Sequence, residues 1–226
     1  MDNKISIIIP TLNESEFIGK LLPALQEFRK RGHELIIADG GSSDLTVQIA
    51  KDHSDRIVFS KKGRAKQMNA GADAASHEIF WFLHADSIPH SDSDRFILKE
   101  FQNKKKGWGY FKTRLSGNSI LFRLIEFFMN LRSGLTSVAT GDQGIFVRKD
   151  SFLIAGKFPE IELMEDIALS KTLKNICRPS RLSLIMITSS RRWEQKGVFK
   201  TILLMWYLRL AYISGIHPRK LQALYR

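Results

Sequence analysis

Two hydrophobic patterns alternate along the first 86 positions of the chain. Short runs of branched and aromatic residues are typical of strands that are buried on both faces. Between these runs, apolar residues recur every three or four positions, as they do along one face of a helix. Strands connected by helices through short loops indicate a doubly wound α/β fold, with a mostly parallel sheet flanked by helices. The predicted strands are 4–10, 34–39, 56–59 and 78–83, and the predicted helices are 13–32, 44–53 and 63–75.

Local signals refine the first two helices. Asn13 followed by Glu16 predicts a capping box, and Asp44 predicts an N-cap for the second helix. Pro23 conflicts with an unbroken first helix, because proline cannot donate a backbone hydrogen bond.

The second half of the chain has a less regular pattern. No stretch has the composition of an interdomain linker, so we expect residues 1–226 to form one domain. The predicted helices are 93–103, 118–132, one that begins at Glu165-Asp166 and a last one at 198–216, and the predicted strands are 107–114, 145–148 and 182–188.

Three predicted strands end in polar segments, namely 11–14, 39–44 and 84–86. The carboxyl ends of parallel strands meet at one edge of a sheet, where open α/β folds bind ligands. His84 and Asp86 are two positions apart, so a tight turn would aim both at one cation. A turn-capping role would also explain Asp86 alone, but the shared edge favours a site.

Charge and cysteine content narrow the classes of partner. The net charge of +12 favours a polyanion: nucleotide phosphates, nucleic acid or an anionic membrane surface. Cys177 is the only cysteine, which excludes a disulfide within the chain and a cysteine-based metal site, and fits a cytoplasmic protein. The segment before Pro10 is too short and too acidic for a signal peptide.

Six segments, in this order and spacing, resemble the family 2 glycosyltransferases, which have the nucleotide-sugar-binding GT-A fold. The resemblance implies a small single-domain bacterial type, with a Rossmann-like nucleotide-sugar-binding half at 1–90 and an acceptor-binding half at 91–226. The segments are Ile7 to Glu14, Asp39 to Asp44, Arg64 to Ala72, Leu83 to Asp86, Gly141 to Gly144 and Met164 to Asp166.

The resemblance assigns a nucleotide site to the first half. Asp39 would accept a hydrogen bond from a uracil N–H, and Arg64 would lie beside the nucleotide. Turn formation is the alternative for Asp39, and a salt-linked surface position is the alternative for Arg64. The nucleotide-binding residues implied are Pro10, Thr11, Asn13, Glu14, Asp39, Gly40, Arg64 and Ala85.

His84-Ala85-Asp86 stands where the family has Asp-x-Asp. The resemblance implies that Asp86 contacts a divalent cation, Mn²⁺ or Mg²⁺, which stabilises the leaving diphosphate. Imidazole suits Mn²⁺ better than Mg²⁺. His84 is therefore a metal ligand, a hydrogen-bond donor to phosphate, or neither.

The resemblance also assigns the acceptor side. Asp166 resembles the catalytic base of inverting members, with Glu165 beside it, since inversion needs a carboxylate near the attacking hydroxyl. An acidic helix N-terminus is the alternative. Gly141, Asp142 and Gln143 resemble the segment that meets the acceptor.

Ser189 to Trp193 partly resembles the Q-x-x-R-W motif of processive members. Arg192 would clamp the diphosphate and Trp193 would stack on an acceptor, whereas a cation–π surface pair is the alternative. The last helix has an uncharged run of eight residues between Lys200 and Arg209, too short to span a bilayer. Its aromatic residues indicate either peripheral contact with the inner face of the membrane or packing on the sheet or on a second subunit.

We therefore expect an inverting glycosyltransferase that moves a sugar from a nucleoside-diphosphate sugar, a UDP-sugar, to an acceptor hydroxyl on a lipid-linked molecule or a small metabolite. A sugar-phosphate nucleotidyltransferase needs a glycine-rich phosphate loop after the first strand, and 11–14 is not one. A non-catalytic basic protein that binds membrane or nucleic acid would explain the charge, but not the carboxylates at strand ends. Nucleic acid is not an expected partner.

Overall fold

The computed structural model describes residues 4–225, and an eight-stranded mixed sheet runs through both halves of the chain. Residues 1–3, which belong to the segment considered for a signal peptide, lie outside the described residues. In the sheet the strand order is β3-β2-β1-β4-β7-β6-β8-β5. The strands are β1 (Ser6–Thr11), β2 (Glu34–Asp39), β3 (Arg56–Phe59), β4 (Ile79–Phe82), β5 (Ser87–Ile88), β6 (Trp108–Leu115), β7 (Phe146–Arg148) and β8 (Ser180–Thr188).

Helices cover both faces of this sheet. A short 3₁₀ helix, Gly141–Gln143, precedes β7. The α-helices are α1 (Ser15–Lys30), α2 (Thr46–Lys51), α3 (Arg64–Ala74), α4 (Ser93–Phe101), α5 (Ile120–Thr136), α6 (Lys149–Ile154), α7 (Glu165–Ile176), α8 (Arg191–Lys196), α9 (Val198–Ile213) and α10 (Pro218–Tyr225).

The first four strands are all parallel, in the order β3-β2-β1-β4. Beyond β4 the direction changes, because β7 pairs antiparallel with β4 and β6 antiparallel with β7. β8 is parallel to β6, and the short β5 closes the edge. The expected α/β fold with a mostly parallel sheet is confirmed, and the polar ends of β1, β2 and β4 lie at one edge.

The core lies on both faces of the sheet, which explains the unbroken apolar runs. Ile7 and Ile9 face one apolar cluster and Ile8 faces the other, since successive side chains of a strand point to opposite faces. α1 covers the first cluster and continues through Pro23. Its predicted apolar face is confirmed, with Ile18, Leu21, Leu22, Leu25 and Phe28 all buried.

Two predicted helix starts are wrong. α1 begins at Ser15 with Glu14 at its N-cap, so Asn13 forms no capping box. Instead, Asn13 has a φ of 56° and its Oδ1 accepts a hydrogen bond of 2.8 Å from the Ser43 N–H. α2 begins at Thr46, although Asp44 still accepts a hydrogen bond of 3.0 Å from the Thr46 N–H.

The C-terminal region also differs from the prediction. The helix at Val198 ends at Ile213, and a further helix, α10, follows it. Gly215, with a φ of 86°, allows the turn between them. Pro218 then supplies a favourable first residue for α10. β5, α6 and α8 were not predicted either, because two to six residues are too short to show a period.

α3 is held close against the strands that lead to the polar edge. A Cβ on Gly71 would lie 2.5 Å from Cγ2 of Ile8, so only glycine fits at this contact. Gln67 is buried, and its Nε2 donates to the carbonyls of Thr11 and Ala38, at 2.5 and 3.1 Å. These contacts fix the N-terminus of α3 beside the carboxyl ends of β1 and β2.

Candidate active site

A cavity of about 550 Å³ opens at the carboxyl ends of β1 and β4. This size is typical of pockets that hold cofactor-sized molecules. Its floor comes from the ends of the strands, and one wall comes from the start of α3. The opposite wall comes from 160–163, the start of α7 and α10. Its lining residues are Pro10, Thr11, Leu12, Glu14, Lys62, Gly63, Arg64, Ala65, Lys66, Gln67, His84, Ala85, Asp86, Glu160, Ile161, Glu162, Leu163, Glu165, Gln222 and Tyr225.

Five of the eight residues expected at a nucleotide line this cavity, namely Pro10, Thr11, Glu14, Arg64 and Ala85. Asn13, Asp39 and Gly40 are not among its lining residues. Asp39 ends β2, and Gly40 and Asn13 lie in the loops that follow β2 and β1, which are joined by the hydrogen bond from Ser43 to Asn13. The structure therefore brings five of the expected residues together at the cavity, whereas the other three do not line it.

Asp39 organises the loop after β2. Its carboxylate accepts hydrogen bonds from the Gly41 N–H at 2.9 Å, the Ser42 N–H at 2.8 Å, the Ser42 hydroxyl at 2.5 Å and the Thr11 hydroxyl at 3.0 Å. Burial disfavours the charge, but these hydrogen bonds outweigh it and hold the pKa of Asp39 below its usual value. Its contacts are those of a turn-forming residue.

The N-terminus of α3 brings positive charge to the cavity. Lys62, Arg64 and Lys66 line this wall, and the first N–H groups of a helix have no partner within the helix. The Arg64 side chain is 47% exposed, and its Nη1 lies 3.5 Å from Oε1 of Glu165. Helix N-termini of this kind bind anions through backbone N–H groups and the helix dipole.

Asp86 faces this positive wall from the end of β4. Among residues 4–225, the only hydrogen bond to its side chain from another residue is a long one of 3.4 Å from the Ser87 hydroxyl, so most of its acceptor capacity is free there. Burial raises the pKa of Asp86, Arg64 lowers it, and Asp142 raises it further. Glu14 also lines the cavity, and its pKa is raised by burial and by the nearby charge of Asp86.

His84 has a different setting from Asp86. Its Nε2 is buried and has no hydrogen-bond partner within 4–225, and a Cβ on Gly141 would lie 2.2 Å from it. Burial, together with Arg64, holds the pKa of His84 well below its usual value, so the ring is neutral. Within residues 4–225, no three histidine, cysteine or acidic side chains group as metal ligands. Asp86 fits a cation whose remaining ligands are phosphate oxygens and water, whereas Nε2 of His84 faces the backbone.

Glu165 and Asp166 begin α7, directly after Met164, whose φ of 72° is unusual for a residue other than glycine. Glu165 is buried against Arg64 at the cavity wall. Burial and the neighbouring Asp166 raise the pKa of Glu165 to about 7, while Arg64 opposes this shift. The two adjacent carboxyl groups therefore titrate together rather than independently.

Asp166 points to the other side of the helix start. Its Oδ2 accepts a hydrogen bond of 2.7 Å from the Gly141 N–H, and its Oδ1 accepts one of 2.7 Å from the Ile167 N–H. Burial outweighs these bonds and raises the pKa of Asp166. A small void of about 10 Å³ lies between Asp166, Gly141 and His84.

The segment 141–143 serves two purposes. Asp142 is partly exposed, and its main-chain carbonyl accepts a hydrogen bond from the Thr113 hydroxyl at 3.1 Å. Gln143, expected to meet acceptor hydroxyls, is instead fully buried. Its Nε2 donates to the Phe111 carbonyl at 3.2 Å and to the Ser133 hydroxyl at 3.0 Å. Gln143 therefore holds the segment in place and has no free group for an acceptor.

The expected roles of Arg192 and Trp193 also need correction. Arg192 stacks on the ring of Tyr225 at 3.6 Å and donates a hydrogen bond of 3.0 Å to its carbonyl. Trp193 packs against an apolar cluster formed by Leu115, Phe122 and Ile125. Neither side chain lines the cavity. A cation–π pair is present, but its aromatic partner is Tyr225, because α8 lies against the end of α10.

Several lining residues could not be found from the sequence. Gln222 and Tyr225 belong to the unpredicted α10. The wall at 160–163 is a loop, fixed from afar by Asn69, whose amide donates to the Phe158 carbonyl at 2.9 Å and accepts from the Phe158 N–H at 3.1 Å. The one sequence signal for this contact was the polar Asn69 within a predicted helix, and its partner, Phe158, lies 89 positions away in the chain.

Comparison with known proteins agrees with this architecture. Residues 6–147 match the family model for glycosyl transferase family 2. The chain therefore belongs to glycosyl transferase family 2. A relative from Methanococcus voltae, dolichyl N-acetyl-alpha-D-glucosaminyl phosphate 3-beta-D-2,3-diacetamido-2,3-dideoxy-beta-D-glucuronosyltransferase, is 31% identical over 114 residues, which cover 46% of this chain. The matched region is 36% of the length of that relative.

Solved structures share the fold. S. aureus TarS in complex with UDP-GlcNAc superposes with a TM-score of 0.67 at 19% identity, over 82% of this chain and 58% of the TarS chain. Glucosyl-3-phosphoglycerate synthase from Mycobacterium tuberculosis, in complex with Mn²⁺, UDP and phosphoglyceric acid, gives a TM-score of 0.64 at 18% identity, over 94% and 79% of the two chains. The fold is therefore GT-A, as expected.

Proposed function

We propose that the protein is an inverting glycosyltransferase that uses a UDP-sugar donor and an acceptor hydroxyl. The observation that carries this proposal is the arrangement around the cavity. The basic N-terminus of α3 and Asp86 line the same cavity, and Asp166 directly follows Glu165, which lines the cavity and lies 3.5 Å from Arg64. UDP-bound structural neighbours with the same fold support the choice of nucleotide.

The donor would lie between the strand ends and α3. Pro10, Thr11 and Ala85 would contact the base and ribose, while Lys62 and Arg64 would meet the diphosphate together with the helix N-terminus. Asp39 and Gly40 would act indirectly, by holding the loop after β2. Glu165 would keep Arg64 in position through their contact.

A divalent cation would be held by Asp86, and it would stabilise negative charge on the departing diphosphate. One structural neighbour contains Mn²⁺ together with UDP, which supports a cation in this position. The free acceptor capacity of Asp86 supports the same role.

Asp166 would act as the base. The acceptor hydroxyl would give its proton to Asp166 as its oxygen forms a bond to the anomeric carbon, and UDP would leave with the electron pair of the broken C–O bond. Burial raises the pKa of Asp166, which improves its match to proton transfer near neutral pH. Its hydrogen bond from Gly141 would fix the direction of the carboxylate.

The outer faces of α5 and α9 support membrane contact as part of this function. Within the described residues, no helix is long and apolar enough to cross a membrane. The two helices nevertheless pack side by side and leave large apolar side chains exposed, with Lys200, Arg219 and Lys220 nearby. We propose that this apolar face rests on an anionic membrane surface and gives access to an acceptor there.

The test of the transferase proposal is consumption of a donor. UDP-glucose, UDP-galactose and UDP-GlcNAc are each incubated with the protein and Mn²⁺, and released UDP is measured, since water can replace a missing acceptor. We expect release from at least one donor, reduced about 100-fold or more by Asp166→Asn. Asp150→Asn is the control, because Asp150 lies at the opposite edge of the sheet, after the end of β7. Failure of all three donors, or full activity in Asp166→Asn, would contradict the proposal.

A further inference from the structure

Two arginines outside the donor cavity have no ion-pair partner in the part of the chain that the structure describes. Arg132 lies on α5, and its Nε and Nη2 are buried without a hydrogen-bond partner among the described residues. Its Nη1 makes one long hydrogen bond of 3.4 Å to the Val138 carbonyl. Arg209 lies on α9 and is also partly buried. Burying a guanidinium group without a partner costs free energy. Such a group is therefore unusual unless a ligand binds it.

The packing of the helices brings these arginines to the acceptor side. Leu208, next to Arg209, packs in one apolar cluster with Val138 and Ile167. The carbonyl of Val138 accepts the hydrogen bond from Arg132, and Ile167 directly follows Asp166. On the other side, Gln143 is hydrogen bonded to Ser133, next to Arg132. Both arginines therefore lie near the segment 141–143 and near the start of α7, which carries the proposed base, Asp166.

The charges in this cluster do not cancel. Burial and the like charge of Arg209 lower the pKa of Arg132 to about 10, although Asp142 and Asp166 partly offset this. Burial also lowers the pKa of Arg209, with the same two carboxylates opposing it. Among the described residues neither carboxylate forms an ion pair with either arginine, and the Nη1 of Arg132 donates to a main-chain carbonyl instead. An anion between the two guanidinium groups would supply the missing acceptors and relieve their repulsion.

We propose that Arg132 and Arg209 bind a phosphate group of the acceptor, and so hold its hydroxyl beside Asp166. This inference rests on the proposed function and specifies the class of its acceptor. Two guanidinium groups match a phosphate in charge and geometry, since each can donate two parallel hydrogen bonds to its oxygens. The three free N–H groups on the buried nitrogens of Arg132 point to a ligand with several acceptor atoms.

Such a phosphate belongs either to a soluble phosphate ester or to a lipid. The arginines lie on the two helices whose outer faces are apolar, so a lipid phosphate would reach them from the membrane side. The chemistry at the guanidinium groups is the same in both cases. The experiment therefore includes one probe of each kind.

The experiment measures phosphate binding by calorimetry in protein already saturated with UDP, so that the donor cavity is closed to the probe. The probes are sn-glycerol 3-phosphate and the short-chain lipid dihexanoylphosphatidic acid. The variants are Arg132→Gln, Arg132→Lys and Arg209→Gln. Arg178→Gln is the matched control, because it removes the same charge from an exposed position outside this cluster.

We expect both probes, or the lipid alone, to bind the unmodified protein and the control. Each glutamine variant should weaken this binding about 10-fold or more, as expected for loss of charged hydrogen bonds. Arg132→Lys should also weaken it, because lysine keeps the charge but lacks the fork. Tighter binding of the lipid would identify the membrane as the source, and equal binding would identify a soluble ester.

UDP affinity separates this inference from the proposed function. It should be unchanged in all four variants, and circular dichroism confirms that each is folded. If UDP fails to bind, the transferase proposal is contradicted, and the same phosphate titrations without UDP still compare the variants with the control. If neither probe binds, or if the variants bind as well as Arg178→Gln, the phosphate site is contradicted even when UDP binds.

Discussion

Three aspartates carry the same carboxyl group in different surroundings, namely Asp39, Asp86 and Asp166. Four hydrogen bonds from its own loop and from Thr11 hold the charge on Asp39. Asp86 and Asp166 are partly buried and accept fewer hydrogen bonds, and the pKa of each is raised. Environment therefore separates the structural carboxylate of Asp39 from the two carboxylates for which we propose a cation and a proton as partners.

The raised pKa of Asp166 gives a pH dependence with a defined sign. A base must be deprotonated, so kcat/KM should fall as the pH decreases through this pKa, above the range of an ordinary aspartate. The negative charge of Asp142 contributes to the shift. Asp142→Asn should therefore move the acidic limb of the profile to lower pH. Asp150→Asn should leave it in place, and a limb that moves to higher pH in Asp142→Asn would contradict this assignment.

A second carboxylate, Asp94, is expected to control stability rather than activity. Burial opposes its charge, but hydrogen bonds from His33 at 2.8 Å and from Arg31 at 2.6 Å outweigh it and lower its pKa to about 2. A lowered pKa in the folded state stabilises the protein above the ordinary pKa, and the effect is lost as the pH falls to the folded value.

We therefore expect Asp94→Asn to reduce the free energy of unfolding at pH 7 by about 2 kcal/mol. The difference from the unmodified protein should shrink between about pH 4 and pH 2, measured by urea unfolding. Asp92→Asn, which removes an exposed pair with Arg95, should cost less than about 1 kcal/mol. Equal losses in the two variants would show that the burial of Asp94 does not matter.

At the scale of elements, α3 connects the core to the site. Gly71 allows close contact with β1, Gln67 joins the ends of two strands, and Asn69 holds the loop that forms the opposite wall. One helix thus positions both the basic wall with Arg64 and the segment 160–163 across the cavity.

Replacement of Gly71 tests this contact. In Gly71→Ala the new Cβ would lie 2.5 Å from Ile8, and we expect a loss of about 1–3 kcal/mol in the free energy of unfolding. Gly19→Ala is the matched control, since Gly19 is an exposed position within α1 with nothing within 4 Å of the new Cβ. It should stabilise the protein by up to about 1 kcal/mol. If Gly71→Ala left the free energy of unfolding unchanged, α3 would be able to move away from β1 without loss of stability.

Several elements could be predicted because their residue types favour one local structure over a continuous stretch. Glu34–Asp39 and Arg56–Phe59 agree with the structure at both ends, and α7 starts at Glu165 as expected. Helix starts that depend on partners far along the chain could not be predicted in this way. Asn13 does not cap the first helix, because its side chain accepts a hydrogen bond from Ser43, which lies 30 positions later in the chain.

At the scale of the whole molecule, the sheet edge could be predicted and the helix-lined side could not. Parallel topology alone brings the ends of β1, β2 and β4 together, so Glu14 and Asp86 could be expected near one another. Arg132 and Arg209 are 77 positions apart in the chain, and their charges come within reach of each other because α9 packs beside both α5 and α7. No local pattern carries that information. The shared sheet supports our proposal that the two halves work as one domain.

The apolar face of α5 and α9 gives a prediction at the same scale. Leu203 and Trp206 are 71% and 66% exposed on α9. Replacing both by serine should weaken binding to phosphatidylglycerol vesicles about 10-fold or more, measured by cosedimentation, since each loses apolar contact. Phosphatidylcholine vesicles should bind less well, because they lack the negative charge.

Phe59→Ser is the matched control for this experiment. Phe59 is 69% exposed, but it lies on β3 at the far edge of the sheet, and its replacement should leave vesicle binding unchanged. Vesicle binding that survives the double change would contradict the membrane proposal. A dimer that dissociates in the double variant, seen by light scattering, would instead identify a second copy of the chain as the occupant of this face.

The most direct test of the transferase account is a calorimetric titration of UDP, with and without Mn²⁺. We expect Mn²⁺-dependent binding that Asp86→Ala removes. Asp52→Ala, which changes an exposed carboxylate at the end of α2 that does not line the cavity, should preserve it. Binding of UDP that ignores both Mn²⁺ and Asp86 would contradict the cation site. Absence of UDP binding in the unmodified protein would contradict the assignment of the cavity to a nucleotide-sugar donor.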